Sequence, residues 1–169
     1  LLNQRKLEAL CTELSQIPHL TTLRIHSRLP VVLPSRFDHA LLTLLSGIRL
    51  KVVVVWHSNH AQELGPQQAA LAKQLADHRI VQLNQSVLLK AINDCSETLV
   101  KLSHRLFELG IMPYYLHTLD RVAGTQAFAC SDHTALQLHQ EIRGQLPGYL
   151  VPRLVREVPH QRHSKQPIG

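Results

Sequence analysis

The sequence predicts an α/β fold, the C-terminal part of a partial (β/α) barrel with a C-terminal extension. Short apolar segments alternate with single helical segments, as in repeated βα units with a parallel sheet. Four consecutive valines, residues 52–55, are typical of a strand buried on both faces. Polar residues follow four successive predicted strands, and strand C-terminal ends form the active-site face of such barrels. An open doubly wound sheet would instead gather its ligand groups at one switch point.

Hydrophobic spacing and turn residues give the elements in order. We predict helices up to about residue 15 and over 39–46, 66–77, 96–109 and 132–143, and strands over 22–25, 51–57, 80–83 and 112–116. The first helix follows from Leu7, Leu10 and Leu14, which recur at intervals of three and four residues. Pro66 suits the first turn of a helix, and Gly110 suits the residue that follows one.

The residues at the predicted strand ends are rich in imidazole and amide groups. They are His26, Ser27, His57, Asn59, Asn84, Gln85, His117 and Asp120. Glycine and proline become frequent after residue 143, which indicates that the βα pattern ends there and a segment rich in turns begins. We therefore predict a barrel portion over residues 1–143 and a C-terminal extension over residues 144–169.

The net charge of +6 favours anionic ligands or an acidic partner. Basic residues concentrate only in the tail, at Arg153, Arg156, Arg162 and Lys165. Aromatic residues make up only 4% of the chain, so the stacking platforms of a single-strand nucleic-acid binder are missing and we expect no nucleic-acid partner.

Composition also predicts a cytoplasmic location without membrane attachment. The sequence contains no run of eighteen apolar residues and does not open with a secretory signal. Cys11, Cys95 and Cys130 are odd in number and far apart, as expected of reduced thiols rather than disulfides or a metal site.

The chain opens at Leu1 inside a helical pattern, so we expect it to be the C-terminal part of a longer protein.

Several sequence blocks, taken together and in order, carry a family resemblance. They are Arg24-Ile-His-Ser-Arg, Pro30-Val-Val-Leu-Pro, Asn84-Gln-Ser-Val-Leu-Leu-Lys, Pro113-Tyr-Tyr-Leu-His and Gly148-Tyr-Leu-Val-Pro. Over nearly the whole chain they resemble the lysine 2,3-aminomutase family of radical S-adenosylmethionine enzymes. Within it, the likeness is greatest to the bacterial enzymes that make β-lysine for elongation factor P modification. The resemblance implies a partial barrel of radical S-adenosylmethionine type, a 4Fe-4S cluster, S-adenosylmethionine and pyridoxal phosphate.

The resemblance implies that Lys165 is the catalytic lysine that binds pyridoxal phosphate as a Schiff base. It also implies that Asp120 and Glu157 bind the side-chain ammonium of the substrate, L-lysine. From the residues alone, Asp120 equally fits a turn or a helix cap, and Glu157 equally fits a solvated tail residue.

Three more residues are expected to bind cofactors. His57 and Gln85 resemble residues that line the S-adenosylmethionine pocket. Arg24 suits a phosphate or carboxylate because arginine forms paired hydrogen bonds with such groups, although a buried structural ion pair is an equal alternative. The family's cluster ligands lie in a CxxxCxxC segment, and no cysteines of this chain have that spacing.

We therefore expect the parent protein to isomerise L-lysine to β-lysine by a 5′-deoxyadenosyl radical and a pyridoxal phosphate imine, with this segment inactive alone. The alternatives are an aminomutase for another amino acid, an inactive remnant or scaffold without radical chemistry, and a basic RNA-associated module favoured only by net charge. The oligomeric state stays open, a homo-oligomer included.

Overall fold

The computed structural model describes residues 4–120, 124–158 and 164–168. Arg162, which the sequence analysis counts in the basic tail, lies outside these ranges. In these ranges the strands are β1 (Thr22–Ser27), β2 (Lys51–Trp56), β3 (Val81–Leu88), β4 (Met112–Thr118), β5 (Arg153–Glu157) and β6 (Lys165–Pro167). The helices are α1 (Gln4–Gln16), α2 (Leu29–Val32), α3 (His39–Gly47), α4 (Pro66–Asp77), α5 (Ser96–Glu108) and α6 (Asp132–Gln145).

The strands form one sheet whose spatial order follows the chain, from β1 at one edge to β6 at the other. The pairs from β1 to β5 are parallel, and β6 is antiparallel to β5. A doubly wound sheet reverses its strand order at a switch point, whereas consecutive neighbours are the order of a (β/α) barrel. The predicted partial barrel is therefore confirmed. Residues of the predicted extension contribute β5 and β6 to this same sheet, and the division at residue 143 stays a prediction.

The hydrophobic core lies between the helices and one face of the sheet. One cluster packs Val54 and Trp56 of β2 against α3 and α4, through Leu42 and Leu75. A second cluster packs Leu116 of β4 against α5 and α6. Because strand side chains alternate between faces, the residues between these core positions lie on the opposite side, called here the inner face.

Three strands run further than the sequence predicts. β1 continues to Ser27, β3 to Leu88 and β4 to Thr118. The residues that lie within strands rather than after them are therefore His26, Ser27, Asn84, Gln85 and His117. The physical reason is that polar side chains of β3 are buried with partners, which an apolar pattern does not reveal. Gln82, for example, donates to the backbone oxygen of Ala72 at 2.9 Å.

The helices agree more closely with the prediction. α4 has the predicted bounds, and α5 and α6 differ from theirs only at their C-terminal ends. Gly110 follows α5 with a φ of 74°, a left-handed conformation that favours glycine. Within the part of the chain that the structure describes, no helix is long and apolar enough to span a bilayer.

Candidate functional site

Side chains from all six strands or the loops beside them converge on the inner face. Strand alternation and ring or charge contacts place these residues there: Arg24, His26, His57, Gln85, Tyr115, His117, Glu157 and Lys165. The rings of His26 and His57 are 6.1 Å apart, and those of Tyr115 and His117 are 5.6 Å apart. This face therefore carries every residue that the sequence predicts to bind a ligand except Asp120, which follows β4.

The three histidines of the inner face are biased towards the neutral form. Burial lowers the pKa of His57, and the charges of His26, Arg28, His117 and Lys165 act in the same direction. Burial and the Arg24 charge lower the pKa of His26, while Gln85 opposes this. Burial and the Lys165 charge lower the pKa of His117, against the carboxylates of Glu157 and Asp120. Near neutral pH, each ring therefore offers one donor and one acceptor nitrogen.

Three buried polar atoms on this face lack a hydrogen-bond partner among the described residues. They are Nε2 of His57, Oε1 of Gln85 and Nε2 of His117. An unsatisfied buried polar group costs about 1–3 kcal/mol, so such groups call for an explanation. The grouping of three such atoms on one face makes this face the candidate site for a polar ligand.

Lys165 reaches into the site from the edge strand. It lies opposite Glu157 in the β5–β6 pair, and its Nζ is 3.5 Å from Glu157 Oε2. The same Nζ is 5.7 Å from the ring centre of Tyr115, which belongs to β4. Because β5 lies between β4 and β6, the lysine side chain extends across β5 towards the middle of the site.

An irregularity in β4 places two aromatic rings side by side. Asn84 pairs with Pro113, but Gln85 pairs with Tyr115, so Tyr114 is an extra residue in the β3–β4 ladder. The rings of Tyr114 and Tyr115 are 3.8 Å apart between centroids. Burial raises the pKa of the Tyr115 hydroxyl, and Tyr114 adds to that effect, so Tyr115 stays protonated.

Tyr115 and His117 lie on the inner face, although the sequence analysis does not include them among its ligand-binding residues. The two residues are two positions apart in β4, so their side chains lie on the same face. This two-residue period is the feature of the sequence that could have identified them. Asp120 follows two residues after β4 and is exposed. Its charge raises the pKa of His117, which places its carboxylate within electrostatic reach of the site.

A buried polar network fixes the loop after β2. The backbone N–H of Ser58 donates to Asn84 Oδ1 at 2.9 Å, and Asn84 Nδ2 donates to the Ser58 oxygen at 3.1 Å. Ser86 Oγ also donates to the Ser58 oxygen, at 2.9 Å. Since His57 and Gln85 are the sequence neighbours of Ser58 and Asn84, this network sets the positions of both candidate ligand-binding residues.

The two arginines of the first strand region have different roles. Arg28 donates to the His57 backbone oxygen at 2.9 Å and pairs with Glu63 at 3.0 Å, so it holds the same loop. Arg24 is exposed on the inner face of β1, beside His26. It also borders a largely apolar cavity of about 400 Å³ between α1, β1 and α3. Arg24 therefore presents an exposed cation on the inner face.

The described residues contain no group of three or more histidine, cysteine or acidic side chains that could hold a metal ion. Cys11, Cys95 and Cys130 are all free thiols, and burial raises the pKa of Cys11 and of Cys130. A raised pKa disfavours the thiolate that binds iron. The residues described here do not fit the ligand set of an iron-sulfur cluster.

Curated relatives match most of this chain. It is 44% identical over 163 residues to L-lysine 2,3-aminomutase of Escherichia coli (strain K12), covering 96% of this chain and 47% of that protein. It is 46% identical over 149 residues to the Haemophilus influenzae protein of the same name, covering 88% and 44%. The Clostridium subterminale protein of that name is 33% identical over 162 residues, covering 94% and 38%. The chain thus spans about half the length of its relatives or less.

Solved structures share the fold. Streptococcus suis SuiB bound to S-adenosylmethionine superposes with a TM-score of 0.58 at 14% identity, covering 92% of this chain and 36% of that one. A radical SAM methyltransferase from Sphaerobacter thermophilus gives a TM-score of 0.54 at 14% identity, covering 79% and 40%. No protein-family model matches the chain.

Proposed function

We propose that this chain, which is similar over most of its length to L-lysine 2,3-aminomutases, belongs to the lysine 2,3-aminomutase family and forms the C-terminal part of an enzyme that converts L-lysine to β-lysine. The radical source in this proposal is S-adenosylmethionine with a 4Fe-4S cluster, and pyridoxal phosphate carries the migrating nitrogen. The product would serve elongation factor P modification. The observation that carries the proposal is 44% identity to an L-lysine 2,3-aminomutase over 163 residues.

The residues around Lys165 fit pyridoxal phosphate. The lysine amine lies beside the Tyr115 ring, and His117 Nε2 is a buried polar atom without a described partner. Arg24 supplies an exposed cation on the same face for a phosphate. When bound, pyridoxal phosphate supplies the carbonyl carbon to which the migrating nitrogen is attached during its shift. Lys165 would hold the cofactor, and Tyr115 would form one wall of its site.

His57 and Gln85 fit the polar groups of S-adenosylmethionine. Each contributes a buried atom that lacks a described partner, and the Ser58–Asn84 network holds both in place. A neutral imidazole and an amide can each donate and accept, which suits ribose hydroxyls, a carboxylate or an adenine edge. We place the cluster ligands outside the described residues.

Two carboxylates fit the substrate's side-chain ammonium. Glu157 pairs with Lys165 in the present structure, at 3.5 Å between Oε2 and Nζ. Glu157 and Asp120 would together bind the substrate ammonium, and in Glu157 this contact would compete with its pair to Lys165.

The test is a direct assay of the full-length protein that carries this chain. The protein, reconstituted anaerobically with iron, sulfide, S-adenosylmethionine and pyridoxal phosphate, is given L-lysine labelled with ¹⁵N at the α-nitrogen. We expect the label at the β-carbon, as read by NMR and mass spectrometry. Migration only in another amino acid would contradict the substrate, and no migration would favour a scaffold without radical chemistry.

The matched variants are Lys165→Ala and Lys101→Ala. Both remove one lysine, but Lys101 is exposed on α5, away from the inner face. We expect activity to be lost only in the Lys165→Ala variant.

The elongation factor P step is tested separately by mass spectrometry. The mass of elongation factor P from cells with and without the enzyme should differ by one β-lysine.

A further inference from the structure

His117 is a buried histidine whose purpose the proposed function leaves open. Its side chain is on the inner face of β4, and the residue is only 7% exposed. Its Nε2 atom is buried and has no hydrogen-bond partner among the described residues. A core histidine with a purely structural role would be expected to use that atom in a hydrogen bond.

His117 and Lys165 both lie near the ring of Tyr115, and the Lys165 charge acts on the His117 imidazole. The imidazole of His117 lies edge-on to Tyr115, at 5.6 Å between centroids. Lys165 Nζ lies 5.7 Å from the centre of that ring. The strand between them carries Val155, which pairs with His117 on one side and with Pro167 on the other. The imidazole of His117 and the amine of Lys165 therefore lie over the same part of the inner face.

The surroundings of His117 contain charges of both signs. They are Lys165 from β6, Glu157 from β5, Asp120 after β4, His26 from β1 and His57 after β2, with Tyr115 on its own strand. The lysine and the other histidines disfavour a charged imidazole, and the two carboxylates favour it. Because burial and the Lys165 charge outweigh the carboxylates and lower the pKa of His117, its imidazole is neutral near pH 7 and has a lone pair with which to accept a proton.

We propose that His117 Nε2, directly or through one water molecule, accepts the proton that the Lys165 ammonium releases when its nitrogen becomes a nucleophile. One N–H bond of the ammonium breaks and leaves its electron pair on Nζ, while an N–H bond forms at Nε2. The carboxylates of Asp120 and Glu157 stabilise the resulting imidazolium. The inference rests on the proposed function, in which Lys165 reacts with the carbonyl group of pyridoxal phosphate.

The first experiment follows the reaction of the protein with pyridoxal phosphate by absorbance, between about pH 5 and 9, without assaying turnover. General-base catalysis typically contributes about 10²–10⁴-fold. We expect His117→Gln to slow the reaction by about 10²-fold and to abolish the part of the pH profile that titrates with an imidazole. The control is His104→Gln, which replaces an exposed histidine of α5 and should leave rate and profile unchanged.

Borohydride reduction and peptide mapping separate this inference from the proposed function. A label on a lysine other than Lys165 would contradict the proposed function. A label on Lys165 with an unchanged rate and pH profile in His117→Gln would overturn the inference and leave Lys165 as the cofactor lysine.

A second measurement does not require a folded His117 variant. The pKa of His117 is measured by NMR in the unsubstituted chain and in Lys165→Met. Because the Lys165 charge lowers the pKa of His117, its removal should raise that pKa. An unchanged pKa would show that the two groups do not interact and would overturn the proposal.

Discussion

Lys165 and Glu157 face each other across the only antiparallel strand pair in the described sheet, with Nζ and Oε2 3.5 Å apart. Their side chains are 26% and 41% exposed, and ion pairs exposed to this degree contribute little to stability. We therefore expect Glu157→Gln to change the free energy of unfolding by less than about 1 kcal/mol.

The same substitution should raise the KM for L-lysine, because it removes a carboxylate that the substrate ammonium needs. Loss of one charge-assisted hydrogen bond costs about 1.5–3 kcal/mol, so a roughly tenfold or greater rise is expected. Steady-state kinetics of the full-length enzyme measure this effect. Asp77→Asn, which breaks an exposed pair with Lys73, is the matched control and should change neither quantity appreciably. An unchanged KM in Glu157→Gln would contradict the substrate-binding role.

The buried Asn84 should be essential for stability. It is 1% exposed, and its side chain bonds both backbone groups of Ser58. Asn84→Ala leaves a buried N–H group unpaired and opens a cavity, so we expect a loss of about 2–4 kcal/mol in urea denaturation. Gln137→Ala removes an exposed amide of α6 and should cost less than about 0.5 kcal/mol. Similar costs for the two variants would rule out a special role for the network.

The fold was largely predictable because its signals are local. The spacing of apolar residues and Pro66 give α4 its bounds, and the valines of β2 indicate a buried strand. The end of β3 was not predictable, since Asn84 and Ser86 are polar residues whose buried partner, Ser58, lies in another segment. Only the tertiary structure shows that these polar side chains are satisfied.

The sequence predicts a set of candidate site residues but not their arrangement. The family resemblance selects Lys165 and Glu157, whereas their pairing depends on β5 and β6, two short strands without a distinct apolar pattern. The position of Tyr115 depends on the extra residue Tyr114 in the ladder. Such a register shift belongs to two strands together, so neither strand alone encodes it.

The lowered pKa values of the inner-face histidines predict that stability falls as the pH drops. In the unfolded chain a histidine binds its proton at about pH 6.5. The folded chain binds it at lower pH, because burial first and neighbouring charges second disfavour the imidazolium of His57. Between the two pKa values the unfolded state holds more protons, so the free energy of unfolding decreases with falling pH.

Urea denaturation from about pH 5 to 8 measures this dependence. His57→Gln removes one titrating group with little change in size, so its stability should decrease less steeply over the same window. An equal slope in both proteins would mean that the pKa of His57 is the same in the folded and unfolded states.

Gly110 and Gly144 should respond in opposite ways to alanine. Gly110 has a φ of 74° and no atom within 4 Å of an added Cβ, so only backbone strain opposes the substitution. We expect Gly110→Ala to cost about 1 kcal/mol. Gly144 is exposed in α6 and also has room for a Cβ, so Gly144→Ala should add about 0.5–1 kcal/mol. Thermal unfolding distinguishes the two, and destabilisation by both variants would contradict the idea that the sign of φ decides the effect.

Arg24 should act on both His26 and an anionic cofactor. Its charge is one cause of the lowered pKa of His26, after burial, so Arg24→Gln should raise that pKa in an NMR titration. If Arg24 also binds the phosphate of pyridoxal phosphate, the same variant should weaken cofactor binding by about tenfold or more, the worth of one charge-assisted hydrogen bond. Arg143→Gln, on the exposed surface of α6, should change neither.

The two Arg24 measurements separate position from function. A raised pKa of His26 with unchanged cofactor affinity would place Arg24 on the inner face but remove it from the phosphate site. The cation for the phosphate would then have to come from elsewhere, because Arg28 already pairs with Glu63 and the His57 backbone.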